Sequence, residues 1–124
     1  MSNGLKTTFL IHAPVSLLFG IVFYFFPGTW ANLVNWTPFD ENITRLLGAA
    51  VLAIGMMSWF AYRAESWQEV RVPVLFEIVF TVSGSLIGLY AYFFSGAPLF
   101  IWVPIAVMVI FGVLWIYFYR QETS

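Results

Sequence analysis

Residues 98–119 read PLFIWVPIAVMVIFGVLWIYFY, and this stretch decides the fold of the chain. It contains no charged residue and matches the length of about 20 apolar residues that a helix needs to cross a bilayer. Three further stretches, residues 8–27, 43–63 and 73–94, have a similar length and apolar character. The sequence therefore predicts an all-α, polytopic membrane protein in which one domain, residues 1–124, forms an antiparallel bundle of four transmembrane helices.

The composition supports a membrane environment and excludes several function classes. Hydrophobic residues make up 61% of the chain and charged residues 9%, whereas a soluble domain carries about 25% charged residues. A net charge of −1 leaves no basic surface for nucleic acid, so no nucleic-acid partner is predicted. The absence of cysteine excludes disulfides, thiolate metal sites and iron–sulfur clusters.

The distribution of basic residues predicts the orientation. On one side of a four-pass arrangement lie Lys6, Arg63, Arg71 and Arg120. The other side carries Asp40 and Glu41, an uncharged turn at residues 95–98, and a single basic residue, Arg45, just inside the second span. The positive-inside rule then places both termini in the cytoplasm. The predicted location is the cell (cytoplasmic) membrane of a prokaryote.

The connections carry helix-start signals and interfacial aromatics. The pattern from Thr37 to Asp40 predicts a helix start capped by Thr37, and residues 66–69 form a second capping-box pattern. Residues 28–36 are too short and too polar to span, and are predicted to lie along the outer surface. Aromatic side chains near the predicted span ends indicate an interface belt; they are Trp30, Trp36, Trp67, Trp102, Trp115, Tyr117 and Tyr119.

Small residues predict the helix contact faces, because close packing drives helix association in lipid. In the second span they are Gly48, Ala49, Ala53 and Gly55, and in the third span Thr81, Gly84, Ser85 and Gly88. The short connection between these two spans predicts that they are antiparallel neighbours. The fourth span is bulky and β-branched, and is predicted to be the most lipid-facing of the four.

Ionisable residues inside a membrane are costly, so each one is a candidate for function. His12 and Glu77 each lie about one turn inside the cytoplasmic end of their predicted spans, and Arg63 lies just above them. We expect these three groups to meet. Ser16 and Thr81 lie one turn further along the same faces. The pattern predicts a small cytoplasm-facing pocket, polar at its mouth and aromatic at its floor, which binds a ligand or relays a proton.

A second polar group is predicted near the outer surface. Arg45 follows Asp40 and Glu41, and Glu41 precedes it by one helical turn in the favourable order. Structural roles are the alternative: Arg45 would anchor the interface, His12 would reach the headgroup layer, and Glu77 would hydrogen-bond a neighbouring helix.

No motif identifies a catalytic residue, a metal site or a cofactor. Zinc needs three or four ligands, and His12 with Glu77 supplies two. No GxSxG motif is present. Small four-helix multidrug exporters carry an acid near the middle of the first span, which residues 15–23 lack. A single axial ligand from His12 to a haem or chlorophyll, or a pair across a homodimer, stays open.

Parts of the first three spans resemble the DoxX-like and related small four-helix membrane proteins of bacteria and archaea. The residues that carry the resemblance are Phe26–Trp30, Trp36–Pro38, Arg45–Ala50, Gly55, Ser58, Trp59 and Glu77. This resemblance implies a four-helix bundle in the cytoplasmic membrane and implies no particular activity.

Three functional hypotheses follow. The first is a membrane protein without catalytic activity that binds an apolar ligand (a lipid, quinone or pigment) or serves as an accessory subunit of a larger membrane complex. The second is a proton-coupled transporter formed by a homo-oligomer, with Glu77 and His12 handling the proton. The third is an intramembrane enzyme that uses the same two residues as acid and base.

Overall fold

The computed structural model describes all residues from Met1 to Ser124, and every regular element is helical. The helices are α1 (Asn3–Phe25), α2 (Pro27–Val34), α3 (Glu41–Arg63), α4 (Trp67–Phe94) and α5 (Trp102–Thr123), the last preceded by a 3-10 turn at Leu99–Ile101. Four segments are long and apolar enough to cross a bilayer: α1, α3, α4, and α5 with its 3-10 turn. The predicted all-α bundle of four membrane-length helices is confirmed.

Polar side chains stand at the starts of α1, α3 and α4. The predicted capping box at Ser66 and Glu69 is present at the start of α4. The predicted cap at Thr37 is wrong, because α3 begins only at Glu41 and Asp40 Oδ1 accepts the Ile43 N–H at 2.8 Å. Aspartate is a stronger N-cap than threonine and stands directly before the helix, so it fixes the start there.

The short helix α2 lies between the long helices α1 and α3 in the chain order. It begins at Pro27 and ends where Asn35 adopts a left-handed conformation with φ of 57°. Its eight residues cannot span a bilayer, as predicted. We call the end of the bundle with α2 and residues 95–98 the α2 end, and the end with both termini and residues 64–66 the N/C end.

The bundle consists of two close helix pairs. Within the α1–α3 pair, a Cβ atom on Gly48 would lie 2.6 Å from the Tyr24 backbone nitrogen, and one on Gly20 would lie 2.7 Å from that of Leu52. Within the α4–α5 pair, Gly88 faces Ile105. The small-residue faces of α3 and α4 thus pack against α1 and α5. The link between α3 and α4 is short, but the closest approaches are within the α1–α3 and α4–α5 pairs, where glycine faces allow them.

The core at the N/C end fills the space between the two pairs. Its buried members are Leu5, Phe9, Ala61, Val70, Val74, Phe111 and Trp115. Trp115 is fully buried and packs 4.8 Å, centroid to centroid, from Phe9, so its predicted place in the interface belt is wrong. The fourth span is also not the most lipid-facing: 28% of its apolar window is buried, against 22% for α4. Its inward face carries Phe111 and Trp115. The prediction considered the many β-branched residues of this span and overlooked that aromatic face.

Candidate functional site: a polar cluster beside an apolar cavity

Three polar side chains from three helices meet in the interior, and we call His12, Ser58 and Glu77 the polar cluster. His12 Nδ1 lies 2.7 Å from Ser58 Oγ and 3.6 Å from Glu77 Oε1. Ser58 and Glu77 are completely buried. The structure therefore brings His12 and Glu77 together at one level, as the sequence predicts, and adds Ser58.

Sequence reasoning named Ser58 only among the residues that carry the resemblance and missed it as a partner of His12. The local signal is the spacing between Gly55 and Ser58, which lie on the same face of α3. Gly55 touches Leu17, where a Cβ would lie 2.7 Å from Leu17 Cγ. Because this contact brings α3 against α1, the hydroxyl one turn further along α3 reaches His12.

Arg63 does not join the polar cluster, and this prediction is wrong. Its side chain is exposed at the last turn of α3 and makes no hydrogen bond or ion pair within the chain. A guanidinium near a helix end extends toward water or headgroups, since burial would remove its hydration. The interior acid therefore has no cationic partner from arginine.

Glu77 is poorly satisfied within the protein. Neither carboxyl oxygen makes a hydrogen bond of acceptable geometry, and the indole nitrogen of Trp115 is also buried without a partner. The His12 ring packs against both Phe111 and Trp115, with centroid distances of 4.6 and 5.4 Å. Buried polar groups are nearly always hydrogen-bonded, and an unsatisfied one costs about 1–3 kcal/mol. The polar cluster therefore adds little to the stability of the fold, because several of its buried polar atoms lack hydrogen-bond partners.

A cavity of about 440 Å³ adjoins the polar cluster between the two helix pairs. Its walls are mostly apolar, and its polar lining residues are His12, Ser16, Thr81 and Trp36. The walls are completed by Val15, Phe19, Phe23, Leu47, Val51, Ile54, Phe80, Gly84, Ile87, Gly88, Ala91, Ile101, Pro104, Val107, Met108 and Phe111. His12 therefore separates the cavity from Ser58 and Glu77, which do not line it.

The cavity extends inward from His12 past Ser16 and Thr81 to aromatic side chains, in the direction predicted. Its lining runs along α1 from His12 to Phe23, toward the α2 end, and includes Trp36 from the link before α3. The N/C end is filled by the core instead. The predicted opening of the pocket toward the termini is therefore wrong, whereas His12, Ser16, Thr81 and aromatic side chains line the cavity as predicted. Large side chains such as Phe9 and Trp115 occupy that space, so the polar groups form the inner floor of the cavity.

Arg45, Asp40 and Glu41 are separate from this site. Arg45 Nη2 lies 2.8 Å from Glu41 Oε1, which confirms the predicted pair. Arg45 Nη1 also donates to the Tyr24 carbonyl oxygen at 2.8 Å, one of the last carbonyls of α1. Asp40 caps α3. These three residues stabilise helix ends at the α2 end, and none of them lines the cavity.

The arrangement of the polar cluster limits its chemistry. In a serine–histidine–acid triad the serine and the acid contact opposite nitrogens of the imidazole. Here both Ser58 and Glu77 face Nδ1. No group of three histidine, cysteine, aspartate or glutamate side chains could hold a metal ion. The polar cluster therefore differs from such a triad, because one ring nitrogen of His12 faces both partners.

Comparison with known proteins adds no further constraint. No family model, no curated protein and no solved structure matches this chain. The cavity and the polar cluster are thus the observations from which its function is inferred.

Proposed function

We propose that this protein binds a predominantly apolar ligand in the cavity between its helix pairs and has no catalytic role. The cavity itself is the observation that carries this proposal. Its volume of about 440 Å³ lies within the range of roughly 300–1,000 Å³ found for small-molecule sites. Such sites combine apolar walls with a few well-placed polar groups, as the walls and floor of this cavity do.

Each polar residue has a role in this proposal. His12, Ser16 and Thr81 contact the polar end of the ligand at the floor, and Phe19 and Phe80 contact its apolar body. Ser58 and Glu77 hold the His12 ring from behind. A lipid, a quinone and a pigment are all apolar enough to occupy the cavity, and the surrounding membrane would supply them.

The proposed setting is the cytoplasmic membrane of a prokaryote, with both termini in the cytoplasm. The arrangement of the helices supports it, because Lys6, Arg63, Arg71 and Arg120 all belong to the N/C end. The cavity would then occupy the outer half of the bilayer. Membership of the DoxX-like proteins is also part of the proposal and rests on the residues that carry the resemblance.

Purification from the native membrane tests ligand binding. The protein is extracted with its surrounding lipid into nanodiscs, and the bound molecules are identified by native mass spectrometry. We expect one small apolar molecule per chain. Recovery of a stoichiometric protein partner with an empty cavity would instead favour the accessory-subunit hypothesis.

A matched pair of variants locates the ligand. Ala91 lines the cavity, and Ala50 lies exposed on α3 outside it. Ala91→Phe places a ring in the cavity and should remove the bound molecule, whereas Ala50→Phe should retain it. Equal retention by both variants would place the ligand elsewhere and contradict the proposal.

A second candidate function, proton-coupled transport by an oligomer, is favoured by one observation. The fully buried Glu77 has no hydrogen-bond partner of acceptable geometry and faces an imidazole that reaches the cavity. Such a pair can pass a proton between the ligand and an interior acid. Proteoliposomes with an internal pH dye distinguish the two functions. Ligand-driven proton movement that is lost in Glu77→Gln and kept in Glu69→Gln would support transport over simple binding.

A further inference from the structure

The residues that line the cavity differ in how far they reach the protein surface. Only two of them are exposed: Leu47 on α3, which is 45% exposed, and Ile87 on α4, which is 64% exposed. The lining residues of α1 and α5 are all buried or half-buried. The cavity therefore reaches the surface along the seam between α3 and α4.

The helix pairing explains why this seam is open. Gly48 and Gly55 of α3 face α1, and Gly84 and Gly88 of α4 face α5. Helices in lipid approach closely where small residues meet, so α3 and α4, whose glycines face other partners, are not drawn together. Their link, residues 64–66, joins them only at the N/C end.

The opening lies at the depth of the lipid chains. Leu47 is six residues from the start of α3 at Glu41, and Ile87 is seven residues from the end of α4 at Phe94. At 1.5 Å per residue, both positions are about 10 Å from the α2 end of their helices. Both helices are apolar enough to span a bilayer, so an opening at this depth faces hydrocarbon rather than water.

The two ends of the cavity are covered by aromatic side chains. Trp30 packs on Phe23, Trp36 and Phe100 at centroid distances of 4.9, 5.2 and 6.2 Å. Phe23 and Trp36 line the cavity, so this group covers it toward the α2 end. The core fills the N/C end. The α3–α4 seam is therefore the route by which a molecule reaches the cavity.

The polar floor of the cavity lies near the middle of the membrane. His12 is thirteen residues from the end of α1, and Thr81 is thirteen residues from the end of α4. Both are thus about 20 Å from the α2 end, in hydrocarbon that is about 30 Å thick. No lysine or arginine lines the cavity. A charged headgroup at this depth would lose its hydration without gaining a basic partner.

We propose that the ligand is an uncharged amphiphile dissolved in the bilayer, which enters laterally between Leu47 and Ile87 and places its polar end at the floor. This inference rests on the proposed function and narrows it. Phospholipids and ionised fatty acids are excluded, because their charged groups would have to leave the interface for the membrane interior. A long-chain alcohol, a monoacylglycerol and a quinone all satisfy both conditions.

Photolabelling in vesicles tests the charge of the ligand. Two probes carry the same chain with a diazirine at its middle, one as a fatty alcohol and the other as phosphatidylcholine. After irradiation, mass spectrometry locates the insertions. We expect the alcohol to label the buried lining residues Val51 and Thr81. Both probes should label Val79 and Val113, which are 68% and 63% exposed and do not line the cavity.

A matched pair of double variants tests the route. Leu47→Trp with Ile87→Trp places bulky rings at the opening and should abolish alcohol labelling of Val51 and Thr81. Leu46→Trp with Leu86→Trp changes exposed neighbours on the same helices that do not line the cavity, and should leave that labelling intact. Labelling of Val113 in both variants shows that each is folded into the bilayer.

The outcomes separate this inference from the proposed function. Equal labelling of Val51 and Thr81 by both probes overturns the exclusion of charged lipids, and unchanged labelling in both double variants overturns lateral access. Either result leaves the cavity as a binding site. If the alcohol labels neither residue in the wild-type protein, or still labels both in Ala91→Phe, then ligand binding in the cavity and this inference fail together.

Discussion

The two ends of the bundle are built from the same four helices and differ in how they fill the space between the helix pairs. At the N/C end, Leu5, Phe9, Val74 and Trp115 are fully or almost fully buried. Toward the α2 end, the same space holds a cavity of about 440 Å³. Because the same helices pack closely at the N/C end, the cavity toward the α2 end results from the residues that line it. Small residues, Gly84, Gly88 and Ala91, stand in the cavity wall.

The largest expected effect comes from opening the packed end. Trp115→Ala removes a fully buried ring that contacts Phe9 and His12. We expect a loss of about 3–5 kcal/mol in the free energy of unfolding, as for other buried aromatic truncations. Denaturant unfolding in micelles measures it. Trp102→Ala, at a side chain that is 38% exposed, serves as the control and should cost much less. Equal losses would show that the N/C end is not the better-packed region.

The next effect sharpens the contrast between a helix pair and the space between pairs. Gly48 lies at the α2 end, yet a Cβ there would lie 2.6 Å from the Tyr24 nitrogen, and this backbone cannot rotate away. We expect Gly48→Ala to separate α1 from α3 and to cost about 3 kcal/mol, near the upper range for overpacking. Gly28→Ala meets no atom within 4 Å and should leave the thermal midpoint almost unchanged. A harmless Gly48→Ala would contradict the close α1–α3 contact.

A smaller effect is expected where the packed end meets the cavity. Ser58→Ala removes the hydroxyl that lies 2.7 Å from His12 Nδ1, so the buried imidazole loses its hydrogen-bond partner. We expect a loss of about 1–2 kcal/mol in the free energy of unfolding, because a buried polar group loses its partner. Ser83→Ala is the matched control, since that exposed hydroxyl bonds only to carbonyl oxygens of its own helix. If both variants unfold alike, Ser58 contributes nothing to the polar cluster.

The smallest effect is expected at the rim of the α2 end. Glu41→Gln breaks an ion pair with Arg45 whose side chains are 59% and 42% exposed. Exposed pairs one helical turn apart contribute about 0.3–0.5 kcal/mol and are screened by salt. The thermal midpoint should therefore fall slightly at low salt and not at high salt. A large, salt-independent loss would mean that this pair holds α1 against α3.

The residues that sequence reasoning placed correctly are those whose position follows from local patterns. Span length located the four long helices, and the Ser66–Glu69 spacing located the start of α4. Equal depth in two helices that both start at the N/C end placed His12 beside Glu77. Arg63 and Trp115 were misplaced because depth along a helix does not fix the direction of a side chain around it. Arg63 points outward and Trp115 points inward.

The amino-acid sequence by itself determined that this chain forms four membrane-length helices and that an imidazole and a carboxyl group are buried within them. Runs of apolar residues and the cost of leaving backbone groups unpaired in lipid are sufficient for that. Only the tertiary structure decided that α1 pairs with α3 and α4 with α5, that Ser58 completes the polar cluster, and that packed side chains close the cavity at the N/C end. The reason is that lipid covers any apolar face equally well, so helix pairing depends on which glycine surfaces fit closely in three dimensions.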